Sequence, residues 1–364
     1  MSGREAGQPV PPAGVLQRFR AGAVIPAHPL ALSAERRLDE SHQRALSRYY
    51  LDAGAGGLAV GVHTTEFAIH DPKVGLYRPV LELAMDAARE TVGGRAPAAE
   101  PVMIAGVIGP TAQAVGEAQI AHDVGYHLGL LGLGALREAS DEQLIAHVRA
   151  VAAVIPVMGF YLQPAAGGRV LGEGFWRRLA ELPNLIGIKI APFNRYYTLA
   201  VMRAVAASGR SGEIALYTGN DDSILLDLLT EYDIDVEGRG VRLGMAGGLL
   251  GHWAYWTRRA VEHLEQARQA RQAGAVPGSL LTLSAQVTES NEAVFDPEHS
   301  FRGCIAGILY VLSRVGLVAG VHPFGREEGL SPGQVQKIER VAARYPHLTD
   351  DDFVRQNLAG WLRP

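Results

Sequence analysis

Short runs of apolar residues, many of them β-branched, alternate along this chain with longer stretches whose apolar positions recur every three to four residues. The first run, AGAVIPAH (21–28), leads into a helical period near 35–53. GGLAVGVHTT (56–65) leads into one near 79–92, and PVMIAGVIG (101–109) into one near 111–124. HLGLLGLGA (127–135), PVMGFYLQP (156–164), LIGIKIA (185–191) and EIALYTGN (213–220) precede helical stretches near 140–154, 172–182, 196–208 and 223–231. GVRLGMAGG (240–248) reads as the last strand, before a helix near 252–272. Strict strand–helix alternation with short connections predicts a parallel sheet. Eight such units match a closed (β/α)8 TIM barrel of about 250 residues. Helical stretches near 280–294, 301–316, 332–345 and 350–362 predict a C-terminal appendage packed on the barrel. The opening MSGREAGQPVPPAG is rich in proline and glycine, which predicts a loose tail. The expected organisation is an α/β chain with a flexible tail over 1–19, the barrel over 20–275 and C-terminal helices over 276–364.

One strand carries unusual chemistry. NLIGIKIAP (184–192) holds a lysine in a chain where only Lys73, Lys189 and Lys337 of 34 basic residues are lysines. Strand side chains alternate between faces. That alternation predicts Ile186, Ile188 and Ile190 on the outer face and Gly187, Lys189 and Ala191 on the inner one. Burial disfavours the ammonium form, and a neutral amine inside a barrel is what a Schiff-base nucleophile needs. A lysine that is ion-paired or snorkels to the barrel end is the other reading of the same pattern. On the preceding strand, Val157, Gly159, Tyr161 and Gln163 share one face. Turned inward, the Tyr161 phenol is expected to relay the protons of imine formation; turned elsewhere, it is a core tyrosine bonded to backbone.

FYLQPAAGG, followed 28 residues after its tyrosine by GIKIA, resembles the dihydrodipicolinate synthase and N-acetylneuraminate lyase family. The resemblance implies a TIM barrel of class I, metal-independent lyases, with Tyr161 opening a Y-x-x-P motif and Lys189 forming a Schiff base with pyruvate or another 2-oxo acid. GVHTTEF (61–67) is similar to the family's G-T-T-G-E or G-T-G-E-F loop. Aligning on Glu66 places Thr64 on the carboxylate-binding threonine, with His63 in place of its partner threonine and Thr65 in place of glycine. Thr64, Thr65 and His63 are therefore expected at the substrate. LYTGNDD (216–222) resembles the S-G-x-D segment and brings Thr218 and Gly219 into the same expectation. Two departures concern the acceptor. Ala166 stands where the synthases have an arginine, with Arg169 three residues on, and the region after the fourth strand lacks their tyrosine pair. LREASDEQL (136–144) instead resembles the 5-dehydro-4-deoxyglucarate dehydratase branch. The expected function is an aldolase or dehydratase acting on a 2-oxo acid. The alternatives are dihydrodipicolinate synthase proper and an oxo-acid-binding barrel without turnover.

Composition narrows the partners. A net charge of −4 gives no basic footprint for nucleic acid. No apolar run reaches the 18 or so residues of a membrane span, and a cytoplasmic location is expected. The single cysteine, Cys304, lies in an apolar run and reads as a buried, inert thiol. His63, Glu66, His70 and Asp71 are close in sequence but do not match a helical metal-ligand spacing, so no metal and no cofactor are expected. His28 is expected to line the barrel mouth, and Gly247 and Gly248 offer a possible phosphate-binding turn. The family resemblance, with the apolar tail residues Ile305, Ile308, Leu309 and Leu312, implies a homotetramer or homodimer.

Overall fold

The structure, a computed structural model, describes residues 9–93, 100–325 and 329–363. Seven strands arise in the expected order: β1 (Val24–Pro26), β2 (Gly57–Val60), β3 (Val102–Val107), β4 (Leu128–Leu131), β5 (Val157–Leu162), β6 (Leu185–Ala191) and β7 (Ala215–Thr218). β8 (Glu231–Val236) and β9 (Arg239–Gly244) form a separate antiparallel hairpin, and β10 (Gly247–Leu250) completes the barrel between β7 and β1. Neighbouring barrel strands pair in parallel. An Ala27–Ala59 bridge and the His28 N–H donating to the Ala59 carbonyl at 2.8 Å close β1 onto β2. The chain is thus a (β/α)8 TIM barrel with α2 (Glu40–Asp52), α3 (Tyr77–Val92), α4 (Thr111–Val124), α5 (Asp141–Ala152), α6 (Glu173–Ala180), α7 (Arg195–Ala207), α8 (Ile224–Leu229) and α9 (Thr257–Ala273) following the strands.

The eighth strand differs from the sequence reading. Residues 240–244 belong to the hairpin, and Gly247 and Gly248 lie inside the barrel strand. In β8, half-buried Tyr232, Ile234 and Val236 alternate with exposed Glu231, Asp233 and Asp235, the period of a one-sided strand. The turn residues Glu237 and Gly238 both have positive φ, +53° and +80°, as a tight hairpin turn requires. A Cβ on Gly247 would fall 2.3 Å from the Ala23 carbonyl oxygen, and one on Gly248 would fall 2.6 Å from the Trp253 ring. These glycines serve close packing, which removes the phosphate-binding turn expected there.

The expected flexible tail over 1–19 also differs. Its first eight residues lie outside the described ones, but α1 (Ala13–Ala21) is a helix that plugs the lower end of the barrel. Val15 and Phe19 join the interior cluster with Ile25, Ile104, Met158, Ile186 and Tyr217. Phe19 stacks on Tyr217 with ring centroids 4.8 Å apart, and the Tyr217 hydroxyl donates to the Phe19 carbonyl at 2.8 Å. Ile186, expected on the outer face, is in this interior because β6 carries one extra residue opposite β5, where pairing passes from Val157–Leu185 to Met158–Gly187. Ile188 and Ile190 pack outward against the helices as expected.

The C-terminal helices α10 (Gly278–Phe295), α11 (Cys304–Arg314), α12 (Gln334–Arg344) and α13 (Asp351–Trp361) share the outer core. Asp350 accepts from the Tyr49 hydroxyl at 2.8 Å and from the Arg258 and Arg259 N–H groups that open α9. Ile305, Ile308, Leu309 and Leu312 are buried within the chain itself, so they supply no surface for a second copy. Among the described residues no helix is long and apolar enough to cross a membrane. Gly187 bears on the plug most directly, since a Cβ there would lie 2.6 Å from Phe19 Cζ. Gly187→Val is expected to lower stability by about 1–3 kcal/mol through overpacking, seen as a lower urea midpoint at unchanged slope.

Candidate active site

Lys189 projects from the middle of β6 into the barrel, and the residue is 8% exposed. Its Nζ lies 4.5 Å from the centroid of the Phe160 ring, a contact that favours a partly desolvated cation. Room for the side chain comes from Gly219 at the end of β7, where a Cβ would fall 2.6 Å from Lys189 Cε. Desolvation lowers the Lys189 pKa to about 8, opposed in part by the negative charge of Asp221. Asp221, buried in the same post-β7 loop, is held by the His252 N–H at 3.0 Å and accepts at its carbonyl from Asn291. Burial pushes its carboxyl well above the usual carboxylate range, with the Lys189 charge working against that shift.

Next to the lysine, at the C-terminal mouth where barrel enzymes place their chemistry, lies a cavity of about 700 Å³. Phe160, Leu130, Ile108 and Leu162 form its apolar floor and wall, and His63, Arg137 and Arg169 bring polar groups to it. The Arg169 guanidinium donates to the Leu136 carbonyl, which ties it to the loop that bears Arg137. Phe324 and Gly325 cover the cavity from the C-terminal region. The Glu66 carboxylate fastens this cover, accepting from the Phe324 N–H through both oxygens at 3.0 and 2.8 Å. Glu66 itself adopts a left-handed φ of +65°, a conformation non-glycine residues take at a cost.

The structure sorts the expected site residues into two groups. Lys189, Gly219 and His63 come together. Tyr161 does not: its ring packs on the outer face, 5.0 Å from the Trp176 ring and 5.8 Å from Tyr197. Its hydroxyl donates to the Leu171 carbonyl at 3.2 Å and accepts from the Leu171 N–H. Met158 and Phe160 face the interior instead, so alternation on β5 sends Tyr161 outward. Thr218 also faces away and donates to Asp227 at 2.6 Å. The Thr64 and Thr65 hydroxyls both donate to the His28 carbonyl, at 3.3 and 2.6 Å, and Thr65 also accepts from the Gly61 and Val62 N–H groups. Both hydroxyls are thus engaged in shaping the turn. His28 is fully buried, its ring bonded to the Pro29 carbonyl and the Ser47 hydroxyl, and it does not line the cavity. His70 turns to the Gly61 carbonyl and Glu117, and so diverges from His63 and Glu66. Cys304 is buried, which raises its thiol pKa.

A model of the dihydrodipicolinate synthetase family matches residues 21–231, more than half of the chain. The chain belongs to that family. As a member of the dihydrodipicolinate synthetase family it is an enzyme of the class I lyase type. It is 28% identical over 218 residues to a 4-hydroxy-tetrahydrodipicolinate synthase of Synechococcus elongatus, covering 58% of this chain and 67% of the other. Its fold is similar to the dihydrodipicolinate synthase of Oceanobacillus iheyensis, with a TM-score of 0.71 at 18% identity over 91% of this chain and 98% of that one. It is also similar to an N-acetylneuraminate lyase of Fusobacterium nucleatum complexed with pyruvate, with a TM-score of 0.69 at 16% identity over 92% and 98% of the two chains.

Sequence reasoning missed Phe160, Asp221, Arg137 and the Phe324 cover. Phe160 had a usable signal in the strand alternation, but the Y-x-x-P motif drew attention one residue further. Two expectations follow for this family member. With Lys189 at about 8, roughly a tenth is free amine one pH unit lower; imine formation with pyruvate is therefore expected to rise through neutrality and level off above pH 8, as read by borohydride trapping across a pH series. Tyr161→Phe is expected to leave that trapping rate unchanged while costing about 1 kcal/mol of stability for the lost hydrogen bonds, measured by chemical denaturation.

Proposed function

We propose that this protein is a Schiff-base-forming lyase that acts on pyruvate or another 2-oxo acid through Lys189. The observation that carries this reading is a barrel lysine of lowered basicity over the Phe160 ring, which also lines a large cavity at the barrel mouth. The neutral amine attacks the ketone carbon, and loss of water leaves a cationic imine. The imine draws electrons from the adjacent carbon, which can then lose a proton, break a C–C bond or expel a hydroxyl. The backbone N–H groups at the start of the 63–65 turn hold the oxo-acid carboxylate. No metal is needed for these steps, since the cationic nitrogen is the electron sink.

The cavity exceeds what pyruvate alone needs, and Arg137 and Arg169 stand in its wall. A hydroxylated sugar acid, with a second carboxylate for the arginines and hydroxyls for the remaining polar wall, fits better than a neutral aldehyde. A second reading, dihydrodipicolinate synthase activity, is favoured by Arg169, which reaches the same cavity that Ala166 lines and supplies a guanidinium from a shifted position. The 28% identity to a 4-hydroxy-tetrahydrodipicolinate synthase supports it too.

Incubation with pyruvate and borohydride is expected to add a reduced pyruvyl mass to the Lys189 peptide, and Lys189→Ala to abolish it. No adduct with any of a panel of 2-oxo acids would show the lysine to be structural, and ligand-induced thermal shifts without turnover would then mark a binding barrel. Turnover of 4-deoxy-5-oxo sugar acids is expected to exceed condensation of pyruvate with aspartate semialdehyde. Efficient condensation that is lost in Arg169→Ala would establish the synthase reading instead.

A further inference from the structure

With Tyr161 on the outer face, imine formation at Lys189 requires another proton carrier. The hydroxyls near the mouth are committed to backbone carbonyls: Tyr50 to Ala254, Tyr77 to Gly106, and Thr64 and Thr65 to His28. The titratable residues that line the cavity, among those described, are His63, Glu66, Arg137 and Arg169. The arginines keep their protons at any working pH, the Glu66 carboxylate is occupied by the Phe324 N–H, and Asp221, which faces Lys189 from outside that lining, is held by the His252 N–H. His63 is left.

His63 is half-buried, and its setting differs from that of the buried histidines. His28, His70 and His252 each have a ring nitrogen bonded to a protein group. Among the described residues no hydrogen-bond partner holds either ring nitrogen of His63, which meets Phe67 edge-on with centroids 5.8 Å apart. It lines the same cavity as Phe160, the ring beneath Lys189 Nζ. Desolvation first, and the Lys189 charge second, lower the His63 pKa to about 4, so at neutral pH the ring is uncharged and able to accept. Asp221 supplies the facing negative charge on the Lys189 side.

We infer that His63 is the catalytic proton carrier for imine formation at Lys189. This role rests on the Schiff-base reading above. The Lys189 lone pair forms the C–N bond and the ketone oxygen gains the negative charge. The imidazole takes the proton that the nitrogen sheds and delivers it to that oxygen. A second proton, drawn from solvent through the same ring, lets the oxygen leave as water while the nitrogen lone pair closes the C=N bond. One water is released, one proton is taken up into the cationic imine, and the imidazole ends as it began.

The test follows the rate of borohydride-trapped pyruvyl adduct in wild type, His63→Ala and His63→Gln, with pyruvate affinity measured in parallel on the full chain. Both variants are expected to form the adduct about 10²–10⁴-fold more slowly, the usual worth of general acid–base assistance. Pyruvate affinity is expected to hold, and added imidazole to restore part of the rate to His63→Ala. If His63→Ala does not fold, His63→Gln carries the comparison. Wild-type rates in a folded variant would overturn the role, as would a slow rate that tracks lost pyruvate affinity and ignores imidazole. Absence of adduct in wild type would instead overturn the lysine reading on which the role depends.

Discussion

A primary amine is held inside a barrel from which water is largely excluded, and the mouth of the molecule is organised around that constraint. An ammonium there loses hydration worth several kcal/mol, so the fold must offer partial compensation without pairing the charge so well that the amine never becomes free. Phe160 offers a ring face, and Asp221 offers a charge whose own burial weakens it. The lowered basicity of Lys189 is the balance of these effects. Gly219 belongs to the same solution, because any side chain there would collide with the lysine's Cε. A tighter ion pair would have given a more ordinary and less reactive lysine.

Both ends of the barrel serve this environment by different means. Below, α1 inserts Phe19 against Tyr217 and closes the interior. Above, Phe324 and Gly325 add a wall to the cavity at the mouth. Apolar walls between them strengthen every remaining polar interaction, since charges act further in a medium of low dielectric. An uncharged imidazole at His63 and a partly neutral lysine are consequences of the same dryness.

The parts of this design that depend on local pattern were legible in the sequence. Seven of eight barrel strands, the helices after them and the inward lysine all follow from periodicity within one element. Ser140 and Gln143 cap α5 reciprocally, as their spacing implies. The errors arise where phase or distance matters. Tyr161 and Phe160 are adjacent aromatics, and one extra residue in β6 shifts the match between the two strands, so a motif centred on Tyr161 selects the wrong face. The β8–β9 hairpin had a visible alternation and a Glu237-Gly238 turn, but Val241 and Leu243 read equally well as barrel strand. The cover was not legible at all, because its anchor joins residues 258 positions apart.

That separation has a consequence for the order in which the molecule is made. The loop bearing His63 and Glu66 leaves the ribosome first, and Phe324 follows 258 residues later. Until then the contact between the Glu66 carboxylate and the Phe324 N–H cannot form. The mouth therefore gains its Phe324 wall only after all eight barrel strands have been made.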